Sequence, residues 1–308
     1  MTTDAQTMER LTRRSSAGDV ILAYIDGQTA RLRALNPAVR RGEPDAVHQM
    51  RVTTRRLRAA LQEFPMVVPE PATRLRGELR WLGRVLADAR DAEVLERYFE
   101  EELARTPVEL VIGPARARVT AHFAPLHAAG RAAVLEALDS PRYLRIIDDL
   151  DRLLADRART EASMATAAEI LPDAVAHAYR RTKRRMGRAR RAPAGAPRDV
   201  GLHEARKAAK RARYAAEAVE PAFGKKARRF AKRMKKVQSV LGDHQDAVIA
   251  RRVAREIGVQ AHLAGENAFS FGLLNERAHG AAGESQRQAG SVWKRAARYQ
   301  ARRWPGHD

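Results

Sequence analysis

The segment His48-Gln-Met-Arg51-Val-Thr-Thr-Arg55-Arg56-Leu-Arg58 sets one imidazole and three guanidiniums at steps of three and four residues. On a helix, His48, Arg51, Arg55 and Arg58 fall within a sector of about 80° and form one stripe. Arg makes planar, two-pronged contacts to phosphate oxygens, and His can donate a hydrogen bond and gain charge beside a phosphate. A stripe over ten residues spans roughly 15 Å of helix axis, which suits an extended anion better than a small one. Met50, Thr54, Leu57, Leu61 and Phe64 occupy a separate sector that can face a core, while Arg56 points elsewhere, toward water.

The same device returns 155 residues later as His203-Glu-Ala-Arg206-Lys-Ala-Ala-Lys210-Arg211-Ala-Arg213. Its apolar side is Ala205, Ala209, Ala212, Ala216 and Val219. The offset holds without a gap: Asp88 and Asp91 fall on Asp243 and Asp246, Arg80 on Lys235, and Tyr24 on Tyr179. A single basic helix face is most often a solvated face. Two copies with His at the head and cations at the third, seventh and tenth positions after it point to a shared anion-binding role, with Lys contributing a mobile point charge. Arg76, Arg80 and Arg84 follow in the first half, and Lys225 to Lys236 holds eight cations in twelve residues in the second. These could line another wall, with Arg80 and Lys235 the paired candidates and Lys207 flanking the second stripe. A further dense run, Arg180 to Arg191, precedes the second copy and has a sparse counterpart around Arg31 and Arg33.

The acids of Leu86-Ala-Asp88-Ala-Arg-Asp91 and Leu241-Gly-Asp243-His-Gln-Asp246 could be read as paired carboxylates for metal or catalysis. The stronger reading is structural: Asp88 and Asp243 as N-caps, with Asp91 and Asp246 three residues on in a variant capping box. Either acid could instead orient an Arg. The remaining histidines, including His122, His127, His177 and His244, do not repeat the stripe, and Trp81, Trp293 and Trp304 read as packing residues. No phosphate-binding Gly-rich loop, dinucleotide fingerprint, zinc-helix motif or nucleophile elbow occurs, so no catalytic residue, metal site or cofactor is assigned.

The elements that must carry these residues are helices. Apolar residues recur at helical spacing almost throughout the 308 residues, and alternating β-branched runs are absent, which predicts an all-α fold. Expected helices run from about 19 to 35, 44 to 64, 71 to 87, 90 to 105, 114 to 137 and 140 to 158. In the second half they run from about 172 to 191, 199 to 219, 222 to 241, 244 to 257, 265 to 282 and 285 to 302. Pro37, Pro44, Pro65, Pro69 and Pro71 punctuate one half as Pro193, Pro197 and Pro221 punctuate the other. The chain thus divides into a flexible N-terminus 1–18, helical-bundle halves 19–159 and 160–302, and a tail 303–308. The stretch from Arg157 to Glu169 lacks Pro and Gly, so a long helix could cross the boundary.

Net charge is +21, with 44% hydrophobic and 31% charged residues, which describes a folded, highly charged protein rather than a disordered tail. Such an excess makes nucleic acid, an anionic membrane surface or an inorganic phosphate polymer the candidate partners, and charge sign alone does not choose among them. Zero cysteines remove disulfides, thiol catalysis and Cys-ligated metals. No signal peptide or membrane span is evident, and the expectation is a soluble cytoplasmic protein.

The two HxxRVxxRRxR-like segments, with an LxDxxD segment following each, resemble the CHAD family, the conserved histidine α-helical domain. The resemblance covers nearly the whole chain. It implies two pseudo-symmetric helical bundles enclosing a basic central groove or pore that binds inorganic polyphosphate, with association to polyphosphate granules. It nominates His48, Arg51, Arg55, Arg58, His203, Arg206, Lys210 and Arg213 as the core site, with Arg80 and Lys235 as neighbours. Some members are fused to a triphosphatase module marked by an ExExK segment, and nothing like that segment occurs here. The expected function is therefore non-enzymatic polyphosphate binding. The alternative is a nucleic-acid-binding or nucleoid-associated protein, against which stands the 5% aromatic content and the absence of an aromatic in either stripe.

Overall fold

A computed structural model describes residues 11–68, 72–156 and 160–303. Its helices are α1 (Ala17–Arg41), α2 (Ala46–Glu63), α3 (Ala72–Ala104), α4 (Ala115–Asp139), α5 (Pro141–Ala155), α6 (Glu161–Met164), α7 (Ala167–Arg191), α8 (Ala196–Phe223), α9 (Lys225–Leu263) and α10 (Phe269–Arg303), with a 3-10 turn at Val108–Leu110. The described residues contain no strand, only an isolated bridge between Ser16 and Thr166. The all-α expectation holds. No helix among the described residues is long and apolar enough to cross a membrane.

Three expected breaks do not occur. Helices α3 and α9 run unbroken for 33 and 39 residues, carrying Asp88, Asp91, Asp243 and Asp246 in their interiors, so these acids cap nothing. The reason is the apolar stripe. Leu79, Leu82, Leu86, Ala89 and Ala92 stay buried at helical spacing straight through the acidic segment, as do Val237, Leu241 and Ala247 in α9. Likewise α10 is one helix of 35 residues rather than two. Proline punctuates less than expected as well: α1 continues past Pro37 and closes at Gly42, whose left-handed φ of 72° and N–H to the Val39 carbonyl terminate it. Pro69 and Pro71 lie outside the described residues.

No long helix crosses residue 160 in the described chain. Thr160 caps the short α6, and Thr166 with Glu169 forms a capping box that starts α7. The segment from residue 11, expected to belong to a loose N-terminus, is held in place: Ala17 N–H reaches the Ala165 carbonyl at 2.8 Å, Ala167 N–H reaches the Ser15 carbonyl at 2.8 Å, and Ala17 is fully buried. Residues 1–10 and 304–308, with Trp304, lie outside the described residues.

Sequential helices pack on one another through α1, α2, α3 and α4 and again through α7, α8, α9 and α10, while α2 meets α8 and α1 meets α7 and α8 across the two halves. The halves do not keep separate cores. The larger apolar cluster joins Ile21, Ile25, Leu57 and Leu79 to Leu171, Ala209, Ala212 and Phe230. A smaller one joins Phe99 and Phe123 to Ile257, Phe271 and Leu274. The alanine face foreseen for α8 is what permits this: Ala205, Ala209, Ala212 and Ala216 are all fully buried, and small side chains let neighbouring backbones come close around a central helix. The facing side of α2, with Met50, Leu57, Leu61 and Phe64, is equally dry.

Candidate anion-binding site

Because their apolar faces are turned into the same core, α2 and α8 bring their basic stripes together. Lys210 is half-buried, and its ammonium is held well below its ordinary proton affinity, first by burial and then by the charges of Arg55, Arg206 and Arg51. Burial and the neighbouring Arg51 push Arg55 down to about 10, with Arg206 adding to the effect. Four cations from two helices thus share one poorly hydrated space. Arg51 donates from Nη1 to Asp91 Oδ1 at 2.8 Å, yet its Nε is buried without a partner, as is Nε of Arg206, its counterpart 155 residues on. An unpaired buried donor is costly, and an oxyanion satisfies it.

Two carboxylates sit among these cations. Asp91 holds Arg51, and burial raises the proton affinity of Asp246 while Arg206 and Lys210 lower it. Asp91 therefore orients Arg51, the secondary reading of the sequence, while Asp88 and Asp243 are exposed. Gly242 contributes by being bare, since a Cβ there would lie 3.2 Å from Arg206 Nη2 and crowd the guanidinium.

The remaining stripe residues separate into two arms. Arg58 has its proton affinity lowered by burial and then by Arg211, Arg80 and Arg84, which places the exposed Arg80 and Arg84 of α3 beside it. Arg213 turns the other way. Its Nε donates to Glu217 Oε1 at 2.6 Å, its Nη1 to Gln238 Oε1 at 3.3 Å, and its guanidinium lies 5.3 Å from the Tyr214 ring centre. Arg56, expected in water, donates to the second oxygen of the same carboxylate at 2.9 Å, with its side chain only 22% exposed. The stripe geometry misplaced Arg56 because a helix in isolation has no α8 beside it. Both arginines line a cavity of about 720 Å³ that also takes in Tyr24, Gln28 and Lys235.

The histidines stand at the far end of each stripe. His48 lines a separate cleft of about 510 Å³ with Asp45, Arg90 and Glu93, and burial lowers its proton affinity, opposed by Asp45 and reinforced by Arg90, Arg51 and Arg55. His203 is lowered by burial, then by Lys207 and Arg206, with Glu204 and a hydrogen bond to Gln245 opposing. Its Nδ1 is buried without a partner. Lys207 itself is exposed and paired with Glu204 at 2.8 Å. His244, given no role from sequence, is buried against Asp199 at 3.2 Å. As expected, Trp81 and Trp293 pack: Arg142 lies 4.3 Å above the first, and Tyr179 stacks on the second at 5.9 Å. Among the described residues no group of three or more metal-ligating side chains assembles.

Sequence reasoning missed Tyr214, Glu217 and Arg211. Tyr214 is 5% exposed and touches the fields of Arg213, Arg55 and Arg56 at the junction of the arms. Glu217 could have been suspected from its place one turn after Arg213, the spacing of a helical ion pair.

The CHAD domain model matches residues 23–255. The chain belongs to the CHAD family. Two uncharacterized proteins of Mycobacterium tuberculosis are each 37% identical to it over 264 residues, a match covering 84% of this chain and 49% of theirs, so this CHAD chain spans about half the length of those relatives. The CHAD domain from the plant Ricinus communis superposes with a TM-score of 0.67 at 27% identity, covering 99% of this chain and 98% of that one. PptA from Streptomyces chartreusis gives a TM-score of 0.75 at 20% identity, covering 91% and 100%, which is a likeness of fold.

Proposed function

We propose that this CHAD protein binds inorganic polyphosphate and holds it without cleaving it, and that this affinity retains it at polyphosphate granules in the cytoplasm. One observation carries the reading: Arg51 and Arg55 of α2 converge with Arg206 and Lys210 of α8 on a single partly dehydrated space, where Nε of Arg51 and of Arg206 is buried without a partner. Such a site attracts countercharge beyond that of Asp91 and Asp246, and a linear phosphate polymer supplies it as a closely spaced row of oxyanions. The arms toward Arg58 with Arg80 and Arg84, and toward Arg213 with Lys235, lengthen the site as an extended ligand requires. The groups brought together are donors, and the carboxylate of Asp91 is tied to Arg51, which supports retention rather than turnover.

Nucleic acid shares the phosphate chemistry but presents bases as well. Tyr214 and Phe64 are 5% and 0% exposed, so neither offers a ring for stacking. Labelled long-chain polyphosphate titrated with protein, and competed with orthophosphate, single-stranded DNA, duplex DNA and RNA, tests the reading. Tight binding displaced by polyphosphate far better than by any nucleic acid is expected. Equal displacement by nucleic acid overturns it, as does release of phosphate on incubation with Mg²⁺ or Mn²⁺ that a point substitution abolishes.

A further inference from the structure

The basic run Arg180 to Arg191 is not absorbed by the converging stripes. Its exposed members Arg180, Lys183, Arg184 and Arg190 line a surface cavity of about 540 Å³ on α7, closed on one side by Trp293 of α10. A second cavity, about 250 Å³, lies between α9 and α10 and is lined by Arg229, Lys232, Lys236 and Arg295. Lys232 and Lys236 also line the 720 Å³ cavity that opens onto Arg213 and Arg56, where the Tyr24 hydroxyl and Gln28 Oε1 are buried without partners. Two of the three spaces share Lys232 and Lys236, and the α7 cavity borders the same turn of α10 at Trp293, next to Val292 of the α9 cavity.

In the first half the cations of α1 are held by other side chains. There Arg33 pairs with Asp151 and Arg40 with Asp139, and Arg31 donates to Gln49 at 2.9 Å. Helix α5, which supplies Asp151, packs over α1 and α3, whereas residues 288–298 of α10 carry Lys294, Arg295 and Arg298 and no acid. Arg33 and Arg40 thus have carboxylate partners on α5 and α4, while Arg184, Arg229 and Lys232 stay exposed.

We infer that the outer face of α7, α9 and α10 is a one-sided cationic track that leads off the central site through the Arg213 arm and carries the part of a long polyphosphate chain that the centre cannot hold. The inference rests on the polyphosphate reading above. The ligand class is fixed by continuity with that site and by the lack of an exposed ring, since Trp293 is 6% exposed and already stacked. The exposed cations along it act through charge and counterion release, so the track discriminates by chain length and not by end group. A chain on the track is also tethered to the centre, which raises the effective concentration of its remaining length.

The test is the triple variant Arg184→Ala, Arg229→Ala and Arg295→Ala, one exposed residue from each helix, compared with the parent for triphosphate, long-chain polyphosphate and duplex DNA. An unchanged melting temperature establishes that the variant folds. Triphosphate affinity should be unchanged while long-chain affinity falls about tenfold at low salt, with the slope of log K against log salt reduced by about three. If the parent binds long-chain polyphosphate and the variant binds it equally well, or loses triphosphate to the same degree, the track is wrong and the central reading stands. If the variant loses only duplex DNA, the face serves another polyanion and the inference also fails. A parent that binds no polyphosphate removes the central reading and the track together.

Discussion

Lys210 stands 155 residues after Arg55 in the repeated segment, and Arg55 is the neighbouring charge that most weakens its hold on a proton. Arg55 in turn is set back chiefly by burial and by Arg51. Corresponding positions of the repeated segment have thus been brought to one place.

Lys210→Met should therefore separate stability from binding. The substitution keeps the volume and removes a charge held among Arg51, Arg55 and Arg206, so the free protein should gain about 1 kcal/mol, by the rule that apolar replacement of poorly compensated buried charge is neutral or stabilising. Polyphosphate affinity should fall. Melting curves with and without polyphosphate measure both, and a variant that is less stable when free contradicts the stated electrostatics.

Removal of Arg51 with Arg55 to Ala, and separately of Arg206 with Lys210 to Ala, should each weaken long-chain binding by at least tenfold, since each pair supplies half of the converging charge. Isothermal titration at fixed salt is the measurement. A double variant from either half that binds like the parent would show that the halves do not share a ligand.

Arg56→Ala should cost stability rather than leave it untouched. Arg56 and Arg213 share Glu217 inside the fold, at 2.9 and 2.6 Å, so losing Arg56 strips one partner from a carboxylate 17% exposed, at about 1–2 kcal/mol. Glu217→Gln should do the reverse for binding, freeing both guanidiniums and tightening polyphosphate. Denaturant titration checks the first, and unchanged or weaker affinity in the second would count against the Arg213 arm.

Both histidines have proton affinities lowered in the folded protein, His48 by burial against Arg90, Arg51 and Arg55, and His203 by burial against Lys207 and Arg206. A neutral imidazole in the fold that ionises freely when unfolded stabilises the protein above ~6.5, and that contribution is lost as pH falls through the unfolded value. The melting temperature of the free protein should drop between about pH 7 and pH 5.5. Bound polyphosphate favours the charged form, so affinity should rise over the same interval. In His48→Asn with His203→Asn both trends should flatten, and a doubly substituted protein with the parent's pH profile would assign the effect to other groups.

The sequence by itself determined the helical class, the dry faces of α2 and α8, and the identity of the cations at the centre. Helical periodicity is a local property, and the gapless repeat of His48, Arg51, Arg55 and Arg58 as His203, Arg206, Lys210 and Arg213 marks which charges belong together. Only tertiary structure decided how those charges are grouped. Asp88 looked like a cap because its neighbours spell a helix start, yet the buried leucines of α3 continue past it and carry the helix on. Arg56 looked solvent-bound because its angle on α2 leaves the stripe, yet α8 places Glu217 there. Arg213 matches Arg58 in the repeat, but Gln62 occupies the position that Glu217 holds 155 residues on, so one arm keeps its charge and the other is partly neutralised. A helix wheel reports directions from one axis. Which direction meets a carboxylate, a bare Gly242 or another cation depends on the helix packed against it, and that is set by the shared core rather than by either copy alone.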